Sequence, residues 1–258
     1  MLQAHSPLWH YLWAAPNILL LFLAFLLWRR HLHRAYPFFF AFAVLGATAQ
    51  LTAYVTDISL FIADVTWWRI FWVVLVAEGL LKFAVIGEIF SKVFDAYASL
   101  AKVGRISIRA VGVLLVLVAA VAAAYSSEEG IQGIIAGAHV LEQTIYLIEC
   151  GLLVFIFLFA GHFYLAFPRP VFGIALGLGI SACVHLATWA VMANGGLAES
   201  PDKRVLLDFV NMATYHVCVL IWFYYLLARQ EAAAKPPGSL PPNNLDVWNR
   251  ELERLLQR

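Results

Sequence analysis

Long apolar runs alternate with short polar clusters along the whole chain. Crossing roughly 30 Å of hydrocarbon takes about 20 mostly apolar residues in a helix. Seven runs approach that length: Tyr11 to Trp28, Tyr36 to Tyr54, Arg69 to Ile89, Val111 to Tyr125, Ile134 to Phe159, Phe172 to Met192 and Val205 to Leu227. The pattern predicts an all-α, polytopic bundle of seven transmembrane helices. The fourth run is short, so it either borrows Ile106 to Ala110 or sits where the bilayer is thinned.

The polar clusters set the orientation, because Lys and Arg in short loops are retained on the cytoplasmic side. One side collects Arg29, Arg30, Arg34, Lys92, Lys102, Arg105, Arg109, Arg169 and every basic residue from Arg229 onward. The other holds only Arg69, Lys203 and Arg204. The N-terminus is therefore expected outside and the C-terminus in the cytoplasm. Trp9, Trp13, Trp67 and Trp68 at the outer interface, with Trp28, Trp222, Tyr224 and Tyr225 at the inner one, agree. The first segment lacks a basic n-region and a small-residue cleavage site, which makes it an anchor and not a leader.

Two amphipathic stretches fall on the cytoplasmic side. Phe90, Phe94, Tyr97 and Leu100 recur at helical spacing among Lys92, Lys102 and Arg105, so residues 90–109 are expected to extend the third helix along the interface. After the transmembrane domain, residues 1–230, a Pro-rich linker over 231–244 interrupts the helix. A short amphipathic helix follows over 245–258, with Leu245, Trp248, Leu252 and Leu255 on one stripe. It is expected to dock on the cytoplasmic loops of its own bundle, to bind a cytoplasmic protein partner, or to self-associate.

Composition fits the same class, with 63% hydrophobic and 13% charged residues. The net charge of +1 is dispersed over loops, so nucleic acid is not an expected partner and the lipid bilayer is. Cys150, Cys183 and Cys218 are too scattered for a disulfide framework. Gly173, Gly177 and Ser181 form a stripe that lets two helix backbones approach closely, and Gly133 with Gly137 repeats the device.

Ionisable groups in hydrocarbon cost several kcal/mol unless paired, so they turn inward and mark sites. By helix rise, Glu78, His139, Glu142, His185, Asp208 and Asn211 fall in the outer half of the bilayer, while Lys82, Tyr146, Tyr215 and His216 lie near its middle. Residues from four spans thus share a depth, which describes a polar pocket open to the outside. Glu78 and Lys82 sit at i, i+4 and form an expected ion pair, functional or structural. His139, Glu142, Tyr146 and Glu149 follow one stripe of the fifth span. That stripe could ligate a metal, relay protons, or serve as hydrogen-bonded packing. Glu88 lies near the cytoplasmic end of the third span and reads as structural.

No cofactor is predicted. The metal candidates are His139, Glu142, His185 and His216, and a haem bridging His185 and His216 is geometrically open, although no c-type attachment motif occurs. A retinal pigment is not expected, since the last span has no lysine. There is no Gly-rich phosphate loop, HExxH or GxSxG, so the chain does not read as an enzyme.

FAVIGEIFSKVF (Phe83 to Phe94), ECGLLVFIFLFA (Glu149 to Ala160) and FGIALGLGI (Phe172 to Ile180) resemble a family of uncharacterised bacterial seven-helix integral membrane proteins. The resemblance implies a multi-pass protein of the bacterial inner membrane and carries no activity, cofactor or site residue. The functional expectation is a sensory or ligand-binding module with an outward-facing polar pocket. The alternatives are a transporter of protons, an ion or a small solute, a haem- or metal-binding redox protein, and a structural subunit of a membrane complex.

Overall fold

A computed structural model of the chain describes residues 6–58, 64–94, 130–162, 167–194 and 201–227, together with Ala110, Val113, Leu117 and Val121. The chain divides into one unit over Met1–Leu226 and a second over Leu227–Arg258, of which only Leu227 is described. Most of the fourth predicted span, the interfacial segment beyond Phe94, the Pro-rich linker and the C-terminal helix lie outside the described residues. So do the side chains of Trp67, Trp68, Arg69 and Lys203.

All regular structure among the described residues is helical. The elements are α1 (Pro7–Arg29), a 3-10 turn (Leu32–Arg34), α2 (Pro37–Ile58), α3 (Asp64–Val93), α4 (Gly130–His162), α5 (Arg169–Asn194) and α6 (Pro201–Leu227). Each of the six α-helices contains a window long and apolar enough to cross a membrane. This is a multi-pass integral membrane protein. The helices overrun the predicted spans because hydropathy marks the hydrocarbon segment, whereas the backbone continues helical until a cap or breaker intervenes.

Those ends have local causes. Ser6 caps α1 by accepting a hydrogen bond from the Trp9 N–H at 3.3 Å, and Pro7 occupies the first turn, where no N–H is missed. His31 ends the helix with φ 57°, the left-handed conformation that turns a chain out of an α-helix. Inside α1, Pro16 removes one helical N–H. The next residue, Asn17, folds its side-chain amide back onto the Trp13 carbonyl at 2.7 Å.

Side-chain contacts give the helix directions. His10 and Trp13 near the start of α1 meet Tyr54 near the end of α2, and Phe39 at the start of α2 meets Glu88 near the end of α3. These neighbours are antiparallel. So are α4 and α5, which pair His139 with Trp189, Tyr146 with His185 and Phe157 with Phe172. The same holds for α5 and α6 through Thr188 with Asn211 and Ile174 with Trp222. Tyr11 with His216 and Phe22 with Phe223 make α1 and α6 parallel. Working round the ring, α3 and α4 point the same way, so the end of α3 and the start of α4 lie at opposite ends of the bundle.

Burial follows. Leu20, Leu23 and Leu27 of α1, Phe39 of α2, Val85 and Ile86 of α3, Leu141 of α4 and Val219 of α6 are all but inaccessible. The outward surface carries Ile18, Phe22, Leu147, Leu158, Val217 and Leu220, an apolar belt that a bilayer covers. Ala110, Val113, Leu117 and Val121, spaced as one helical face, are helical and exposed as well. The small-residue stripe works as expected within the bundle. A Cβ on Gly173 would collide with Tyr225, and one on Gly177 with Trp222, so α5 and α6 meet along a seam that only glycine permits.

Candidate functional site

The polar residues of the spans assemble around Lys82 on α3. Its Nζ lies 3.6 Å from a Glu78 oxygen one turn earlier and 3.5 Å from Glu149 Oε2 on α4, and it sits 4.3 Å from the centre of the Tyr146 ring. Lys82 is 6% exposed and Glu149 is fully buried. A cation between two carboxylates and an aromatic face is a coherent arrangement in low dielectric. It is incompletely hydrogen-bonded, because neither oxygen of Glu149 has a hydrogen-bond partner.

Tyr146 connects this cluster to α5. Its ring stacks on His185 with centroids 4.2 Å apart, and the His185 Nδ1–H donates to the Ser181 carbonyl at 3.0 Å, which leaves Nε2 as an acceptor in the neutral ring. Thr188 Oγ1, bonded to the His185 carbonyl at 2.8 Å, lies 3.2 Å from Asn211 Oδ1 on α6.

A central cavity of about 360 Å³ runs beside these groups. Glu78, Lys82, Tyr146, His185, Asp208, Asn211 and Tyr215 border it, seven of the eleven predicted site residues, drawn from α3, α4, α5 and α6. Trp9, Trp13 and Trp222 supply aromatic wall. A second, mostly apolar crevice of about 480 Å³ lies among α2, α3 and α4. The two share Gly46, Gln50, Glu78, Lys82 and Tyr146, so the Lys82 cluster is the partition between them.

The other four predicted residues lie elsewhere. Glu142 lines the crevice. His139, half exposed, is 3.9 Å from Glu142 and edge-on to Trp189. Glu149 sits behind Lys82 and away from the cavity wall. His216 faces Tyr11, and its Nδ1 is buried without a hydrogen-bond partner. Along the stripe His139, Glu142, Tyr146 and Glu149, side-chain exposure falls from 46% through 24% to a buried end. Among the described residues no group of three or more His, Cys, Asp or Glu side chains is placed to hold a metal ion.

Three features had not been anticipated. Asn17 is 2% exposed and borders the cavity, and its Oδ1 has no hydrogen-bond partner. An asparagine directly after a helix-interior proline in an apolar span was the available signal. Gln50 borders both spaces and reads from sequence only as the polar residue of the second span. Cys150 and Cys183, expected to be scattered, bring their sulfurs to 3.4 Å across α4 and α5.

No protein-family model, curated protein or solved structure matches the chain. The geometry alone therefore carries the functional argument.

Proposed function

We propose that this protein is a ligand-binding, sensory module of the bacterial inner membrane, built as a seven-span bundle with its N-terminus outside and its pocket opening outward. The seventh crossing belongs to the chain between Val93 and Gly130. What supports it is the common direction of α3 and α4, which requires the intervening chain to travel the length of the bundle. The positive-inside count supplies the orientation. On that topology the cavity runs from Trp9, Trp13 and Asp208 near the outer interface down to Trp222, and the C-terminal helix of residues 245–258 is the surface offered to a cytoplasmic effector or a second copy.

The observation that carries the binding role is the central cavity itself. It has the volume of a small-molecule site, aromatic walls, and a few convergent polar groups from six helices, the usual build of a ligand pocket. A thermal-shift screen of chemically diverse compounds, run in nanodiscs on wild type, Asn17→Ala and Glu142→Gln, tests it. Cavity ligands stabilise wild type and Glu142→Gln but lose most of their effect in Asn17→Ala. A screen without any such compound rejects the role.

A second reading, proton or ion movement, draws on the His139 to Glu149 stripe, where accessibility declines toward a buried carboxylate lacking hydrogen bonds. Proteoliposome flux under a pH gradient separates the two, since a receptor conducts nothing.

A further inference from the structure

Among the described residues that border the central cavity, carboxylates outnumber cations. Glu78 and Asp208 border it, and Lys82 is the cation among them. Lys82 is already engaged by Glu78 and by Glu149 behind the wall, so one lysine answers two carboxylates before Asp208 is counted. Arg204, one turn before Asp208, is exposed and acts on that carboxylate electrostatically, without a contact ion pair between the two. Ionised carboxylates at the edge of hydrocarbon are costly without a partner of opposite sign.

The uncharged groups lean the same way. Asn17 spends one amide N–H on the Trp13 carbonyl, and its Oδ1 is unused. His185 spends its Nδ1–H on Ser181, which leaves a lone pair on Nε2. The wall thus offers two acceptors, Asn17 Oδ1 and His185 Nε2, beside the neutral amides and hydroxyls of Gln50, Asn211 and Tyr215. Around them stand Trp9, Trp13 and Tyr215, whose ring faces attract cations. The cavity wall already displays that preference in Lys82 over Tyr146.

We propose that the central cavity binds a small organic cation, a protonated amine on an apolar or aromatic skeleton, with Asp208 and Glu78 facing the ammonium and the indole and phenol rings receiving the rest. The assignment rests on the cavity being a ligand pocket, as argued above, and adds the charge class. An organic anion would meet Glu78 and Asp208, and Lys82, the cation among the described lining residues, is already engaged by carboxylates. A neutral guest could donate to the acceptors but would leave the charge of the two carboxylates unanswered.

The test compares isosteres on the intact protein in nanodiscs. Three skeletons, 2-phenylethyl, cyclohexyl and n-butyl, are each presented as amine, alcohol and carboxylate, and affinity is read by isothermal calorimetry at neutral pH. On at least one skeleton the amine is expected to bind at least about tenfold more tightly than both isosteres, a difference of roughly 1.4 kcal/mol. Asp208→Asn is expected to remove most of that preference without lowering the melting temperature of the ligand-free protein. If Asp208→Asn does not fold, the wild-type isostere series decides alone. Amines that bind no better than their alcohols and acids, or nine probes without binding, overturn the cation assignment. In that case an Asn17-dependent compound of another charge class in the broad screen keeps the pocket, and its absence removes both.

Discussion

Two buried glutamates, Glu88 and Glu149, sit on adjacent helices in opposite circumstances. Glu88 on α3 is 9% exposed, and its Oε2 accepts the Phe39 N–H at 3.1 Å. That N–H belongs to the first turn of α2, which begins at Pro37, so Glu88 caps a neighbouring helix and its charge meets the positive end of the helix dipole. Glu149 on α4 is fully buried, lies 3.5 Å from Lys82, and has no hydrogen bond on either oxygen. Burial of a carboxylate is thus not the mark of a site in this bundle. Glu88 is spent on holding two helices together, whereas Glu149 retains unfilled capacity behind Lys82.

The largest expected effect comes from separating Glu149 from its counter-ion. Lys82→Met leaves that carboxylate alone in a low-dielectric interior and is expected to cost about 3–5 kcal/mol. The double variant Lys82→Met/Glu149→Gln should recover most of the loss, since it removes the charge that had been stranded. Unfolding curves of both in nanodiscs measure this. A double variant as unstable as the single one would mean that Lys82 matters for packing and not for charge.

Glu88→Ala deletes the cap and is expected to cost about 1 kcal/mol, within the ordinary range for such losses. Glu88→Gln keeps an oxygen for the Phe39 N–H and should lie closer to wild type. If the two variants prove equally damaging, the negative charge, and not the accepted hydrogen bond, is what α2 requires. The smallest effect on stability is expected from oxidising Cys150 and Cys183 in native membranes with copper phenanthroline. Mass spectrometry should find these two joined and Cys218 still alkylatable, which fixes the helix face next to Glu149 against α5. Cross-linking confined to other pairs would displace that face, and with it the contrast between the two acids.

How much of this could be read in advance depends on which question is asked. Periodicity placed His139, Glu142, Tyr146 and Glu149 on one stripe because a single helix dictates its own faces. It paired Lys82 with Glu78 for the same reason. Nothing local announces the partner on another helix, so the bond from Glu88 to α2, the second carboxylate on Lys82, and the meeting of Cys150 with Cys183 all required packed coordinates. Shared depth gathered seven residues at one cavity, yet depth carries no azimuth. His216 fell at the right level and turned toward Tyr11 instead. Asn17 escaped notice because one amide in a long apolar span looks like an ordinary helix residue until its unused oxygen is counted.

The seam at Gly177 sets the shape that any guest must have. Trp222 is wedged there, with its indole N–H 3.3 Å from the Ile174 carbonyl and its ring edge-on to Phe39 and Phe42. A plug of α6 gripped by α2 and α5 does not swing aside for a longer molecule. On the proposed binding role, extra bulk would spread laterally past Glu78 and Gln50 into the neighbouring crevice, so discrimination among guests would fall on breadth and branching, with length held nearly constant.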